Sequence, residues 1–200
     1  MGTFSASTPH RTLGRDRPLA EQIVVLRMGH RIPRDLRVTT HVCLTARALG
    51  ANGLILADVV DTTLEKTILD VCQRFGGIFR IRMGEPWRHA VKEWKSTGGE
   101  VVHLTAYGMP LTETIEVIRA SPCPKLVVVG ASKVPGEVFG EATWNVAVTN
   151  QPISEVSALA IFLDRYFEGK EFSMEFKNAE LKIVPSARGK NVLDLAKPDN

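Results

Sequence analysis

The stretch GLILADVVDTTLEKTILDVCQRFGGIFRI, residues 53–81, carries three kinds of punctuation in under thirty positions. Gly53 to Ala57 is a short apolar run, the pattern of a strand buried on both faces. Thr63 to Phe75 then reads as a helix. Thr62 or Thr63 is placed to cap it, Glu65 sits in its first turn and Gly76-Gly77 ends it. Ile78 to Ile81 begins another strand. A strand, a helix of that length and a second strand form a parallel crossover unit.

The alternation continues outward in both directions. Upstream, Ile23 to Leu26 is a buried strand, followed by a helix capped at Thr39 or Thr40, running through Ala48 and stopped by Gly50. Downstream, Pro86 opens a helix that ends at Gly98-Gly99. Strands at Val101 to Ala106 and Lys125 to Val129 flank a helix from Leu111 to Arg119. Asn145 to Val148 is a sixth strand, and Ser154 caps an apolar-rich helix through Phe167. The expected fold is α/β, a mostly parallel sheet with helices on both faces. Residues 1–20 mix Ser, Thr, Pro, Gly and Arg without apolar periodicity and read as a flexible N-terminal arm. Residues 21–168 make the domain. Residues 169–200 are a C-terminal extension whose alternating segments, 172–176 and 181–184, read as a small hairpin or edge addition, frayed from Lys197.

A chain of 200 residues that is 44% hydrophobic and 24% charged can bury its own core, which excludes a disordered or low-complexity polymer. Twenty-five basic against 22 acidic residues leave a net charge of +3, too little to announce nucleic acid without regard to distribution. Cys43, Cys72 and Cys123 stand apart in apolar surroundings with no CxxC, so neither a disulfide framework nor a standard zinc site is expected. No apolar run reaches membrane-spanning length, and the N-terminus lacks a signal-peptide core. These features predict a soluble, cytoplasmic protein without metal.

Several chemistries lack their residues. There is no GxxxxGK[ST] loop, no GxGxxG and no GxSxG elbow, and the five histidines do not pair at metal-ligand spacing. The densest positive feature is Arg27–Arg37, where Arg27, Arg31, Arg34 and Arg37 oppose only Asp35. Arginine suits bidentate contact with phosphate, although a solvated loop paired with distant acids is the plainer account. Arg47 follows on the next helix and, alone, reads as a surface residue. Val127–Phe139 ends a buried strand at Gly130 and leaves small residues over which a ligand can approach the backbone; its Glu137 also suits a helix N-terminus. Val146–Ala160 ends a strand in polar residues before the Ser154 cap. In a parallel sheet, ligands bind beyond the strands' carboxyl ends, so the turns at 107–111, 130–140 and 149–154 are the expected site.

The phrases MGHRIPRDLRVTTHVCLTARALGA (residues 28–51), VVVGASKVPGEVFG (127–140) and NVAVTNQPISEVSALAIFLDR (145–165) together resemble the three motifs of the archaeal tRNA (cytidine-56) 2′-O-methyltransferases of the SPOUT superfamily. The likeness runs from about Ile23 to Arg165. It implies an S-adenosylmethionine-dependent enzyme acting on tRNA, a homodimer, and a deep trefoil knot in the C-terminal half. It also implies donor contacts from Leu104; from Gly130, Ala131, Ser132, Lys133 and Val134; and from Val148, Thr149, Asn150, Gln151, Pro152, Ile153, Ser154 and Glu155. Glu137 matches the second motif's glutamate. The first motif's arginine is displaced: its usual position is Leu44, whereas Arg47 lies one turn on. Arg31, Arg47 and Glu137 are therefore the catalytic candidates, and Arg27, Arg31, Arg34 and Arg37 the RNA contacts. Rival readings are a methyltransferase for another RNA nucleotide, a non-catalytic RNA-binding dimer, and a different nucleotide-binding α/β enzyme, the last disfavoured by the missing GxGxxG.

Overall fold

A computed structural model of the chain describes residues 22–130 and 134–196. Its strands β1 (Ile23–Met28), β2 (Gly53–Ala57), β3 (Arg80–Glu85), β4 (Glu100–Pro110), β5 (Lys125–Gly130) and β6 (Trp144–Ala147) form one six-stranded sheet in the order β3-β2-β1-β5-β4-β6. Every pairing in it is parallel. The chain steps outward from β1 to β3, then fills the opposite side with β5 inserted between β1 and β4. Such a reversal opens a crevice beyond the strands' carboxyl ends.

Side-chain parity explains why both faces are covered. Ile23 and Val25 of β1 point into a core shared with α1 (Leu36–Ala48), α2 (Thr62–Phe75), α4 (Leu111–Ala120) and α6 (Glu155–Phe167). Val24, Leu26 and Met28 point the other way, onto α3 (Trp87–Ser96) and α5 (Glu137–Glu141). Alternate residues of an extended chain face opposite sides, so a central strand must be apolar throughout.

Three element boundaries differ from the expected ones, each for a side-chain or register reason. Helix α1 begins at Leu36 rather than at Thr39 or Thr40, because buried Thr39 bonds to His30 and Thr40 turns its hydroxyl onto the Leu36 carbonyl. Asp61, not Thr62 or Thr63, caps α2, accepting from the N–H groups of Thr63 and Leu64, both at 3.0 Å. Strand β3 starts at Arg80, opposite Gly53, and leaves Ile78 exposed.

The C-terminal hairpin pairs β7 (Leu181–Ile183) with β8 (Val192–Asp194) and does not join the main sheet. Residues 172–176 are not its other strand: Lys170–Ser173 is a 3-10 turn. The alternation there serves packing instead. Met174 lies against Gly50 and Phe176 against Gly77, where an added Cβ would meet the ring at 2.5 Å. The N-terminal arm lies outside the described residues.

Candidate active site

Beyond the carboxyl ends of β4, β5 and β6 lies a cleft of about 550 Å³. Leu104, Gly130, Val134, Val148, Thr149, Pro152, Ile153 and Glu155 line it together. Their convergence follows from register. β4 departs from regular pairing with β6 between Leu104 and Met109, and that irregular stretch becomes one wall. Asn150 braces the wall from behind, its Nδ2 donating to the carbonyls of Ala106 (2.9 Å) and Gly108 (3.2 Å). Ser154 caps α6 by accepting from the Val156 N–H at 3.2 Å, and Gln151 is an exposed turn residue. Ala131, Ser132 and Lys133 lie outside the described residues.

One wall is anchored by charge. Arg27 has the parity of Ile23 and Val25, so its side chain runs under α1 and α6 and is fully buried. Its Nη2 donates to Glu155 Oε1 at 2.9 Å, fixing the start of α6 to the end of β1. Burial pushes the Arg27 pKa down, and the Glu155 carboxylate opposes that. Thr39 Oγ1 lies 3.5 Å from Arg27 Nε and 2.8 Å from His30 Nδ1, and His30 Nε2 lies 3.1 Å from Asp61 Oδ2. A buried polar chain thus runs from the α2 cap to the cleft. It also corrects one expectation: Arg27 cannot touch RNA, because its charge is spent inside the fold.

The other arginines of that loop differ. Arg34 and Arg37 are exposed. Arg31 is half-exposed and donates from Nε and from its backbone N–H to Asp35 Oδ2, at 2.9 and 3.0 Å. That hydrogen bond holds the Asp35 carboxyl below the usual carboxylate range. The loop leaves β1 beside the cleft, since Met28 pairs with Gly130.

Arg47 and Glu137 are not gathered with Arg31. Arg47 donates to the Phe75 carbonyl at 3.1 Å and to that of Gly76, closing the end of α2, and its guanidinium lies over the Phe176 ring at 4.6 Å. It shares a cavity with Gln22, Asn52 and Arg80, at the amino ends of β1, β2 and β3, so it lies at the sheet edge opposite the cleft. Glu137 opens α5 but pairs with Arg88 of α3 at 3.0 Å, both side chains largely exposed.

His103, Tyr107 and Phe139 also line the cleft; Tyr107 and Phe139 fall in two of the expected turns, and His103 lies outside them. His103 is opposite Asn145 in the β4–β6 register and places Nδ1 2.9 Å from Asn145 Oδ1, edge-on to Phe139 at 4.9 Å. Burial pushes its pKa down, so the imidazole is neutral near pH 7. Only the pairing of two strands far apart in sequence could have revealed it. Cys43 is no nucleophile: burial pushes its thiol up to about 12. Glu85 of edge strand β3 clusters with His89 and Glu93 of α3; the Arg82 guanidinium pairs with both carboxylates, and His89 Nδ1 faces Glu85 Oε1.

Residues 75–193 match the family model described as tRNA ribose 2′-O-methyltransferase, aTrm56, a stretch that includes the cleft walls of β4, β5 and β6. The chain belongs to this family. A protein of Methanoregula boonei named tRNA (cytidine(56)-2′-O)-methyltransferase is 53% identical over 176 residues, covering 88% of this chain and 98% of its own. A namesake from Hyperthermus butylicus is 52% identical, over 86% of this chain and 92% of its own. Among solved structures, one described as an RNA 2′-O ribose methyltransferase superposes with a TM-score of 0.56 at 19% identity, over 81% of this chain and 62% of that one. An AdoMet-bound rRNA methyltransferase from Sinorhizobium meliloti gives 0.56 at 19%, over 76% and 60%. This chain therefore spans about three-fifths of those larger proteins, and the family shares their fold.

Proposed function

We propose that this chain methylates the ribose 2′-oxygen of cytidine 56 in tRNA, using S-adenosylmethionine. The observation that carries the reading is the meeting of three sequence-distant turns in one cleft, in a chain sharing about half its residues with enzymes of that name. The residues fit the donor. Apolar walls from Leu104, Val129 and Val148 suit a flat adenine. Backbone groups of the turns after β5 and β6 would read the adenine edge. S-adenosylmethionine in the cleft would supply an activated methyl carbon whose leaving group is a neutral thioether.

The protein's work is then to position the ribose and ease loss of the hydroxyl proton. Holding the reactants in line can lower a barrier by about 7–11 kcal/mol in ideal cases. Arg31, at the cleft's edge, would clamp the adjoining phosphate and stabilise negative charge growing on the 2′-oxygen. A guanidinium cannot take up a proton, so the proton passes to solvent at the open mouth. Arg34 and Arg37 would hold the flanking backbone, and Glu137 with Arg88 would tie α5 to α3. Arg47 is given no part in transfer, for the distance between sheet edges separates it from the cleft.

The trefoil knot and the homodimer belong to the same proposal. In support of the knot, the segment after edge strand β6 is tied to the β4 loop through Asn150, and α6 then returns to the middle of the sheet against α1 and β1. Tritiated methyl incorporation into unmodified tRNA, with the product nucleotide mapped by mass spectrometry, tests the activity. Label on the cytidine 56 ribose is the expected result; no incorporation, or label elsewhere, overturns it. Calibrated gel filtration should give a dimer, and a strict monomer would contradict that part.

A further inference from the structure

Tyr107 is 87% exposed, yet it stands on the cleft wall. A lone exposed aromatic needs no explanation, and what sets this one apart is the rigidity of its support. Asn150 Nδ2 binds the carbonyls on either side of it, those of Ala106 and Gly108. Its own N–H donates to Thr105 Oγ1 at 3.4 Å. Gly108 is pressed against β6 so closely that a Cβ there would fall 2.5 Å from the Val146 nitrogen. The backbone is pinned on both sides while the ring projects into solvent.

The sheet order supplies the second observation. β5 lies between β1 and β4: Met28, where the arginine loop begins, pairs with Gly130, and β4 runs on from its His103–Val128 pairing to Tyr107. A nucleotide whose ribose enters the cleft presents a flat base on one side of the sugar and an anionic phosphate on the other. Aromatic rings hold unpaired bases by stacking, without regard to base identity.

We infer that Tyr107 is the stacking platform for the base of the acceptor nucleotide, held opposite the phosphate-binding arginines. The inference rests on the methyl-transfer reading and adds to it a residue that binds the acceptor and not the donor. Pinning the loop before RNA arrives removes the ordering cost that a free aromatic would carry.

The test uses the full-length protein as wild type and as Tyr107→Ala, Tyr107→Phe and Tyr107→Trp. Tyr107→Ala should raise the KM for tRNA about tenfold, within the roughly 5- to 150-fold that one stacked base supplies. Phe and Trp should keep KM within about twofold, and titration with S-adenosylhomocysteine should show unchanged donor-site affinity in every variant. A tRNA with an abasic ribose at the acceptor position should erase the difference between wild type and Tyr107→Ala, because the partner is then missing. Unchanged KM in Tyr107→Ala, a parallel loss of S-adenosylhomocysteine affinity, or a penalty that persists on the abasic tRNA would each overturn the assignment. If the wild type methylates no tRNA, the functional reading fails instead. Anisotropy titration of tRNA against wild type and Tyr107→Ala then decides the stacking claim by itself: equal affinities overturn it, and about tenfold weaker binding upholds it.

Discussion

A fully buried guanidinium is tolerable only when its charge is answered, and Arg27 is answered by Glu155, 128 positions away in sequence. Arg27→Met keeps most of the volume and strands the carboxylate. Because the Glu155 side chain retains 25% exposure, the cost should fall near the lower end for a broken buried pair, about 3 kcal/mol in urea unfolding. Adding Glu155→Gln should restore part of it; a single variant within 1 kcal/mol of wild type would mean that the pair does not anchor α6. His103 gives a pH signature. Burial depresses its folded-state pKa below the ordinary 6.5, so between the two values the unfolded chain binds more protons. Stability is therefore complete above about pH 6.5 and declines as pH falls toward the folded-state pKa. Comparing Tm at pH 7.5 and 5.5, His103→Gln should lose less on acidification than wild type, and equal losses would count against the argument.

At the scale of elements, ends matter more than interiors. Asp61 caps α2 through two backbone N–H groups and receives His30 from the loop after β1, so one carboxylate orders a helix start and the base of the arginine loop. Burial works against its ionisation, yet the Leu64 N–H and His30 hold its pKa below the usual carboxylate value. Asp61→Ala should cost about 1–2 kcal/mol in thermal or denaturant unfolding. Asp61→Asn, which keeps an oxygen for the cap, should recover most of that; equal damage from both would show that the charge toward His30 and not the cap carries the effect. The extension obeys the same logic. Met174 and Phe176 alternate as a strand would, but glycines at the ends of α1 and α2 admit them to the surface of the domain.

For the whole molecule, the distribution of charge replaces its total. A net charge of +3 over 200 residues is weak, but exposed Arg31, Arg34 and Arg37 stand together at the edge where the cleft opens. Phosphate contacts release counterions, so log K for tRNA should fall with log salt concentration by about 0.7–0.9 for each contact. Arg34→Ala with Arg37→Ala should flatten that slope by up to about 1.8 while leaving S-adenosylhomocysteine affinity unchanged. An unaltered slope would remove these two side chains from the RNA surface.

Local pattern was enough for the alternation of six strands with helices, though not for every boundary, since an apolar run buried on two faces and a helix stop at Gly76-Gly77 are written in neighbouring residues. It was enough, too, for the three turns that line the cleft, because a parallel sheet directs ligands to the ends of its strands. Only the folded chain could separate four similar arginines. Strand parity buried Arg27 against a carboxylate from α6, α2 drew Arg47 to the far edge, and Arg34 and Arg37 remained in water. The reason is physical: a charged side chain takes its role from whatever partner lies within about 3 Å, and for Arg27 and Arg47 that partner comes from a distant part of the chain.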